Sequence, residues 1–124
     1  MKDYASMSDA EINSIVANVL FPVNLGIGTP YNHRADAYIY HPNGTYSTKD
    51  YCNNPADAWP IIIGQKLSLI NADDEWLCVP DYATVDGVAG DDIQKIYFSY
   101  GYVDANPLRC AMVVFLMMKE GEND

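Results

Sequence analysis

The feature that constrains this chain most is its C-terminal run, Leu108-Arg109-Cys110-Ala111-Met112-Val113-Val114-Phe115-Leu116-Met117-Met118, which follows Asn106-Pro107. Asn106 is a natural helix cap, and Pro107 suits the first helical position, where its missing N–H is not needed. The helix that follows is apolar nearly all round. Such a helix must be covered on every side, either inside a core or in a subunit interface. Its most apolar part, Ala111 to Met118, is far shorter than the roughly 18–20 residues that cross a bilayer. The cover must therefore come from protein: from the rest of this chain, or from a second copy in a homo-oligomer joined through helix 106–118.

What precedes this helix supplies amphipathic partners for it. Ser8-Asp9-Ala10-Glu11 reads as a capping box, and Ile12, Ile15, Val16, Val19 and Leu20 follow on one helical stripe until Pro22 stops the helix near Leu20 or Phe21. Residues 22–36 read as a loop, punctuated by Pro22, Gly26, Gly28 and Pro30. Gly26-Ile27-Gly28 lacks the third glycine and the Lys-Ser/Thr of a phosphate-binding loop. Residues 37–40 and 45–48, rich in aromatic and β-branched side chains, flank Asn43-Gly44 and predict a hairpin.

Two helix starts are open in Asn53-Asn54-Pro55-Ala56-Asp57-Ala58-Trp59-Pro60-Ile61-Ile62-Ile63. Asn54 as cap places Pro60 in the helix interior. Asp57 as cap places Pro60 at the third position, where no donor is missed, and is preferred on that ground. Gly64 or Gln65 ends this short helix. Residues 67–70 and 76–79 read as strands around an acidic turn at 71–75. A second acidic loop spans 80–93, and residues 94–100 read as the last strand. The predicted class is α+β: an antiparallel sheet packed with N-terminal, short central and apolar C-terminal helices. At 124 residues the chain fits a single domain, 1–124, with 1–6 and 120–124 frayed and Gly121 as the helix stop.

Charge narrows the partners. Seventeen acids against seven bases give a net charge of −10, which disfavours direct contact with nucleic-acid phosphates and with anionic lipid. The N-terminus has no apolar core of signal-peptide length, so a cytosolic chain with reduced cysteines is expected. Cys52, Cys78 and Cys110 are odd in number and show no Cys-x-x-Cys, so neither a disulfide framework nor a zinc site is predicted. No metal site and no cofactor is expected.

Two blocks of the sequence resemble a known family. Asn53 to Ile62, with its Asn-Asn-Pro-x-Asp-Ala-Trp-Pro-Ile-Ile pattern, and Asn106 to Met112, with Asn-Pro-Leu-Arg-x-Ala-Met, are similar to the landmarks of the NinX family of small proteins from tailed phages and prophages. Cys110 stands where that family more often has alanine. The Ser8-Asp9-x-Glu11-Ile12-Asn13 start is similar too. The resemblance implies phage origin and residence in the host cytoplasm, and it implies no reaction. A looser similarity to phage domains built as helix–sheet–helix sandwiches agrees with the fold reading.

The candidate site lies in the same blocks. Asn53, Asn54, Asp57 and Trp59, with neighbouring Tyr51, concentrate amides, a carboxylate and aromatic rings around a helix start, where free N–H groups can hold a polar ligand. The ordinary reading is self-capping by Asn54 and Asp57, with Trp59 filling the core. Arg109, a base in the first turn of a helix, is unfavourably placed for the dipole and is expected to pair with Asp57 or Asp50. Cys52 with His33 or His41 is a formal thiol–imidazole combination, but nothing in the sequence joins them, so no catalytic residue is assigned. Tyr38, Tyr40 and Tyr46 on the hairpin, and Tyr97, Tyr100 and Tyr102 farther on, are expected to alternate faces and to leave half their number outward, as suits a protein interface.

The leading expectation is a non-catalytic phage accessory protein that binds a host component, of protein-inhibitor or anti-defence type, with its acidic surface toward a basic partner. The alternatives are a protein that binds or sequesters a small polar ligand such as a nucleotide signal, and a cysteine-dependent enzyme.

Overall fold

The computed structural model describes residues 3–21, 27–28, 36–80 and 101–123. Tyr4–Ser6 forms a 3-10 turn whose Tyr4 is buried. Although residues 1–6 are expected to fray, this part of the N-terminal arm is therefore packed down. Helix α1 spans Asp9–Leu20. Its capping box is complete: the Glu11 amide donates to Ser8 Oγ at 3.1 Å, and the Ser8 amide donates to Glu11 Oε1 at 3.2 Å. Ile12, Val16 and Ala17 are fully buried, and Ile15 and Val19 pack beside them.

Strands β1 (Ile27–Gly28), β2 (Ala37–Tyr40) and β3 (Tyr46–Lys49) form an antiparallel sheet in that order. The expected hairpin joins β2 to β3, with Tyr40 opposite Tyr46. Its turn is built from Pro42-Asn43-Gly44. The Gly44 amide donates to the His41 carbonyl, the His41 amide donates to the Thr45 carbonyl, and Gly44 takes a φ of 90° that a side chain would resist. Ala37 and Ile39 face the core, which leaves Tyr38 and Tyr40 on the outer face. Tyr46 joins them there, its ring 5.7 Å from Tyr38 and 6.0 Å from Tyr40. The three hairpin tyrosines thus share one face instead of alternating, because residues two apart in a strand point the same way. Tyr97 and Tyr100, with the strand expected at 94–100, lie outside the described residues.

Helix α2 spans Pro55–Gly64 and is capped by Asn54, whose Oδ1 accepts from the Ala56 amide at 3.0 Å. This corrects the preference for Asp57 as cap: Asp57 sits inside the first turn, and Pro60 stands in the helix interior. Proline there removes the donor that would reach the Ala56 carbonyl. Ala56 is exposed, so water can satisfy that carbonyl and the expected penalty is reduced. The C-terminus closes by a Schellman arrangement, in which the Leu67 amide reaches the Ile62 carbonyl and the Lys66 amide reaches that of Ile63. Lys66 adopts the left-handed φ of 54° that this motif normally gives to glycine.

Strands β4 (Ser68–Ala72), β5 (Glu75–Val79) and β6 (Tyr102–Asp104) form a second antiparallel sheet in that order. The expected five-residue turn is a two-residue one, since Ala72 pairs with Glu75 across Asp73-Asp74. Asp73 has a φ of 66°, and its amide donates to Asn71 Oδ1 at 2.9 Å. Helix α3 spans Pro107–Asn123, so Gly121 lies within it and does not stop it. Asn106 caps it, with Oδ1 accepting from the Leu108 amide at 2.9 Å and the Arg109 amide at 3.3 Å.

The class is α+β, with antiparallel strands divided between two three-stranded sheets. Helix α1 packs on β1 and β2, α3 packs on β5 and β6, and α3 also touches both α1 and α2. Every residue from Cys110 to Leu116 is buried, within one core cluster that also takes in Ile12, Val16, Ile39, Ile61, Ile62 and Cys78. The cover that this part of the apolar helix demands is supplied by the chain itself. No helix among the described residues is long and apolar enough to cross a membrane.

Candidate functional site

The two sequence blocks that carry the candidate residues meet at the N-terminal ends of α1, α2 and α3. Asn53, just before the α2 cap, donates through Nδ2 to Asp9 Oδ2 at 3.1 Å and to Asp50 Oδ1 at 3.1 Å. Its Oδ1 accepts from Asn106 Nδ2 at 3.1 Å, and the same amide nitrogen donates to the Cys52 carbonyl at 2.8 Å. Asn13, fully buried on α1, donates to Asp50 Oδ1 at 2.8 Å and accepts from the Cys52 amide at 2.9 Å. Asp57 accepts from the Asp50 amide at 2.9 Å through Oδ2 and lies 3.5 Å from Lys49 Nζ. Carboxylates at the first turns of helices also complement the positive ends of their dipoles.

Arg109 completes this clasp. Its Nη1 bonds Asp9 Oδ1 at 2.6 Å and its Nε bonds Asp104 Oδ2 at 3.1 Å. Its Nη2 donates to the carbonyls of Tyr4 at 3.0 Å and Met7 at 2.7 Å. Burial pulls the guanidinium's pKa down, but the bond and charge of Asp9, with the charge of Asp104, outweigh it and leave the pKa raised. An ion pair was expected for Arg109, and one forms. The partners are Asp9 and Asp104, not Asp57 or Asp50. Asp57 bonds within the 49–57 segment and Asp50 accepts from Asn13 and Asn53, whereas the arginine reaches across to the N-terminal arm. Most of its N–H donors are committed to internal acceptors.

The other candidates part company. Asn54 is spent on the α2 cap. Tyr51 is buried, and burial together with the Asp57 charge pushes its phenol up to about 12. Trp59 neither fills the core nor joins the clasp: it is 56% exposed on the outer side of α2, with Ile63 57% exposed one turn on. Cys52 is fully buried, and burial above all raises its thiol, with Asp9 adding to the effect. A reactive cysteine needs the opposite shift. His41 bonds Ser47 Oγ at 2.8 Å on the hairpin, and His33 lies outside the described residues. Cys110 Sγ lies 3.0 Å from the Tyr102 carbonyl oxygen and 3.3 Å from that of Trp76, so its one S–H can tie α3 to the second sheet as alanine could not.

Two open recesses flank the Lys49–Asp57 pair. One, of about 460 Å³, is lined by Asp36, Asp50 and Asp57 with Thr48, Asn53, Asn54 and Pro55. The other, of about 330 Å³, is lined mainly by apolar groups, among them Leu20, Phe21, Tyr51, Pro60, Ile61 and Phe115. Sequence reasoning missed Asp36, which reaches the motif only through the hairpin, and Thr48 at the end of that hairpin. It also passed over Asn13, although an amide beside the apolar stripe of α1 was a visible signal. Among the described residues no group of three His, Cys, Asp or Glu side chains is arranged to hold a metal ion.

A comparison with family models matches residues 3–119 to the family described as Bacteriophage P22, NinX. The chain belongs to that family. The match takes in α1, both motif blocks and most of α3, and each block contributes to the clasp just described, through Asn53 and through Asn106 and Arg109. No curated protein and no solved structure matches the chain significantly.

Proposed function

We propose that this NinX protein is a non-catalytic phage accessory protein that acts in the host cytoplasm by binding a host protein through a basic group. One observation carries the reading: the recess at the start of α2 gathers Asp36, Asp50 and Asp57 on one open surface, in a chain of net charge −10. A guanidinium or ammonium side chain entering this cleft would find acceptors on several sides, and long-range attraction would speed the encounter. Nucleic acid and anionic lipid would be repelled by the same field.

The test is affinity capture of the tagged protein from infected host cells at low salt, with bound proteins identified by mass spectrometry. The expected result is one dominant basic prey that is released as salt rises and is weakened by Asp36→Asn. Prey that survives high salt, or no specific prey, sinks the reading.

A second reading, a small-ligand binder, has one observation in its favour, since a cleft of about 460 Å³ falls in the range of ligand pockets. Its carboxylates would repel a nucleotide, so the ligand would be a small organic cation. Thermal stabilisation by such a cation, lost in Asp36→Asn, would favour it over the protein partner.

A further inference from the structure

Helix α2 is unusual in what it shows to solvent. Its exposed residues are Pro55, Ala56, Trp59, Pro60, Ile63 and Gly64, and none carries a charge or a hydrogen-bonding group other than the Trp59 indole N–H. Its opposite side is buried in the normal way, through Ala58, Ile61 and Ile62. A surface helix normally turns polar side chains to water, and a helix apolar all round is normally covered on all sides. The exposed face is large for its length, because Trp59 and Ile63 lie one turn apart and present neighbouring side chains. It is also continuous with both recesses: Pro55 lines the acidic cleft, and Ala56 and Pro60 line the apolar groove.

We infer that the outer face of α2, with the groove beside it and the acidic cleft at its N-terminal end, is a single docking surface for a protein segment that carries apolar side chains with an Arg or Lys at one end. This rests on the proposed binding of a basic host protein and adds the apolar half of the contact. Charge complementarity selects the occupant. The acidic side chains at the cleft are Asp36, Asp50 and Asp57, with Lys49 paired to Asp57 at the boundary between the recesses. A second copy of this chain would bring a further net charge of −10 to the same place, whereas a basic segment is attracted. An aromatic and an aliphatic side chain already exposed on a rigid helix are the usual anchors of such an interface. The cation in the cleft would set the direction in which the segment lies.

The experiment selects binders from a displayed library of random peptides against the intact protein, then measures synthetic versions of the enriched peptides on variants. Trp76→Phe supplies the background in which Trp59 is the only indole. The expected outcome is enrichment of peptides with large apolar residues next to Arg or Lys. Their binding should shift Trp59 emission to the blue. It should weaken about tenfold or more in Trp59→Ser/Ile63→Ser, and less in Asp36→Asn. Circular dichroism should show both variants folded, since Trp59 and Ile63 are each more than half exposed. Basic peptides that bind the double variant as well as the parent, but fail on Asp36→Asn, overturn the α2 surface and leave the acidic-cleft reading standing. Enrichment of uncharged or acidic peptides overturns the partner chemistry, and no enrichment overturns the inference. A dimer abolished by the double variant, or a Trp59 blue shift with phosphatidylcholine vesicles, identifies a different occupant and overturns it as well.

Discussion

The clasp at the three helix starts and the outer face of α2 invert the usual placement of residues, in opposite senses. In the clasp, polar side chains are turned inward. Asn13 is fully buried and Arg109 nearly so, and each bonds across elements distant in sequence. On α2, Trp59 and Ile63 are turned outward with more than half their surface exposed. Both regions draw on one stretch, residues 53–63. The comparison teaches that the stretch has two jobs. Its first residues tie the 50–54 turn to α1 and α3, and its later ones form an apolar surface that the described fold does not use. Desolvating an amide or a guanidinium is tolerable only when its partners are in place, so the clasp is where substitutions should hurt most.

The sharpest way to break the comparison is Arg109→Met. Removing the guanidinium takes the ion-pair partner from Asp9 and Asp104 and a donor from the carbonyls of Tyr4 and Met7, and should cost about 3–5 kcal/mol, read as a lower urea midpoint with an unchanged slope. A loss below about 1 kcal/mol would mean that the clasp is not holding the arm. Asn13→Ala should follow at about 2–3 kcal/mol, because a buried backbone amide at Cys52 and the carboxylate of Asp50 each lose a partner. Alkaline pH tests the interior by a different route. Tyr51 is raised from 10.0 to about 12 and Cys110 from 9.0 to about 12, both chiefly by burial. Each folded group holds its proton after the unfolded chain has released it. Stability is therefore fully present below pH 9 and is lost as pH rises from 9 to 12, with Tyr51 contributing about 2–3 kcal/mol of the loss. A urea midpoint that stays flat from pH 9 to 11 would show that these groups are not buried in solution.

Smaller effects sharpen the other side. Lys66→Gly should stabilise by about 0.5–1 kcal/mol, because glycine enters the left-handed region without the cost that a Cβ imposes. An unchanged or lower melting temperature would argue against the Schellman closure. Least of all, Trp59→Ser and Ile63→Ser should each move stability by less than about 0.5 kcal/mol. A loss of several kcal/mol from either would place these side chains in a core and remove the contrast between the two regions.

Much of the fold was legible because its signals are local. The capping box at Ser8 and Glu11, the Asn43-Gly44 hairpin and the Asn106-Pro107 helix start are each decided within a few residues, by which backbone N–H groups lack partners and which φ values are allowed. The start of α2 was misread because two local rules competed. The rule against an interior proline lost to the cap at Asn54 with Pro55 at the first position. Strand β6 went unread because three residues, Tyr102–Asp104, are too few for a periodic pattern.

The candidate site was legible in membership more than in role. Asn53 and Arg109 both bond Asp9, and Asn53, Asn54 and Asp57 line one recess without Arg109, yet local patterning could not tell Arg109 that its carboxylates are Asp9, a hundred positions back, and Asp104. By itself, the sequence determined the α+β class, the caps of α1 and α3, the need to cover the apolar C-terminal helix and the membership of the NinX family, since each follows from composition, periodicity or motif within a short window. Only the tertiary structure decided that Asn13 and Arg109 face inward while Trp59 and Ile63 face outward. The sign of a residue's burial depends on what packs against its element, and for α2 that is settled by α3, a segment roughly fifty residues away.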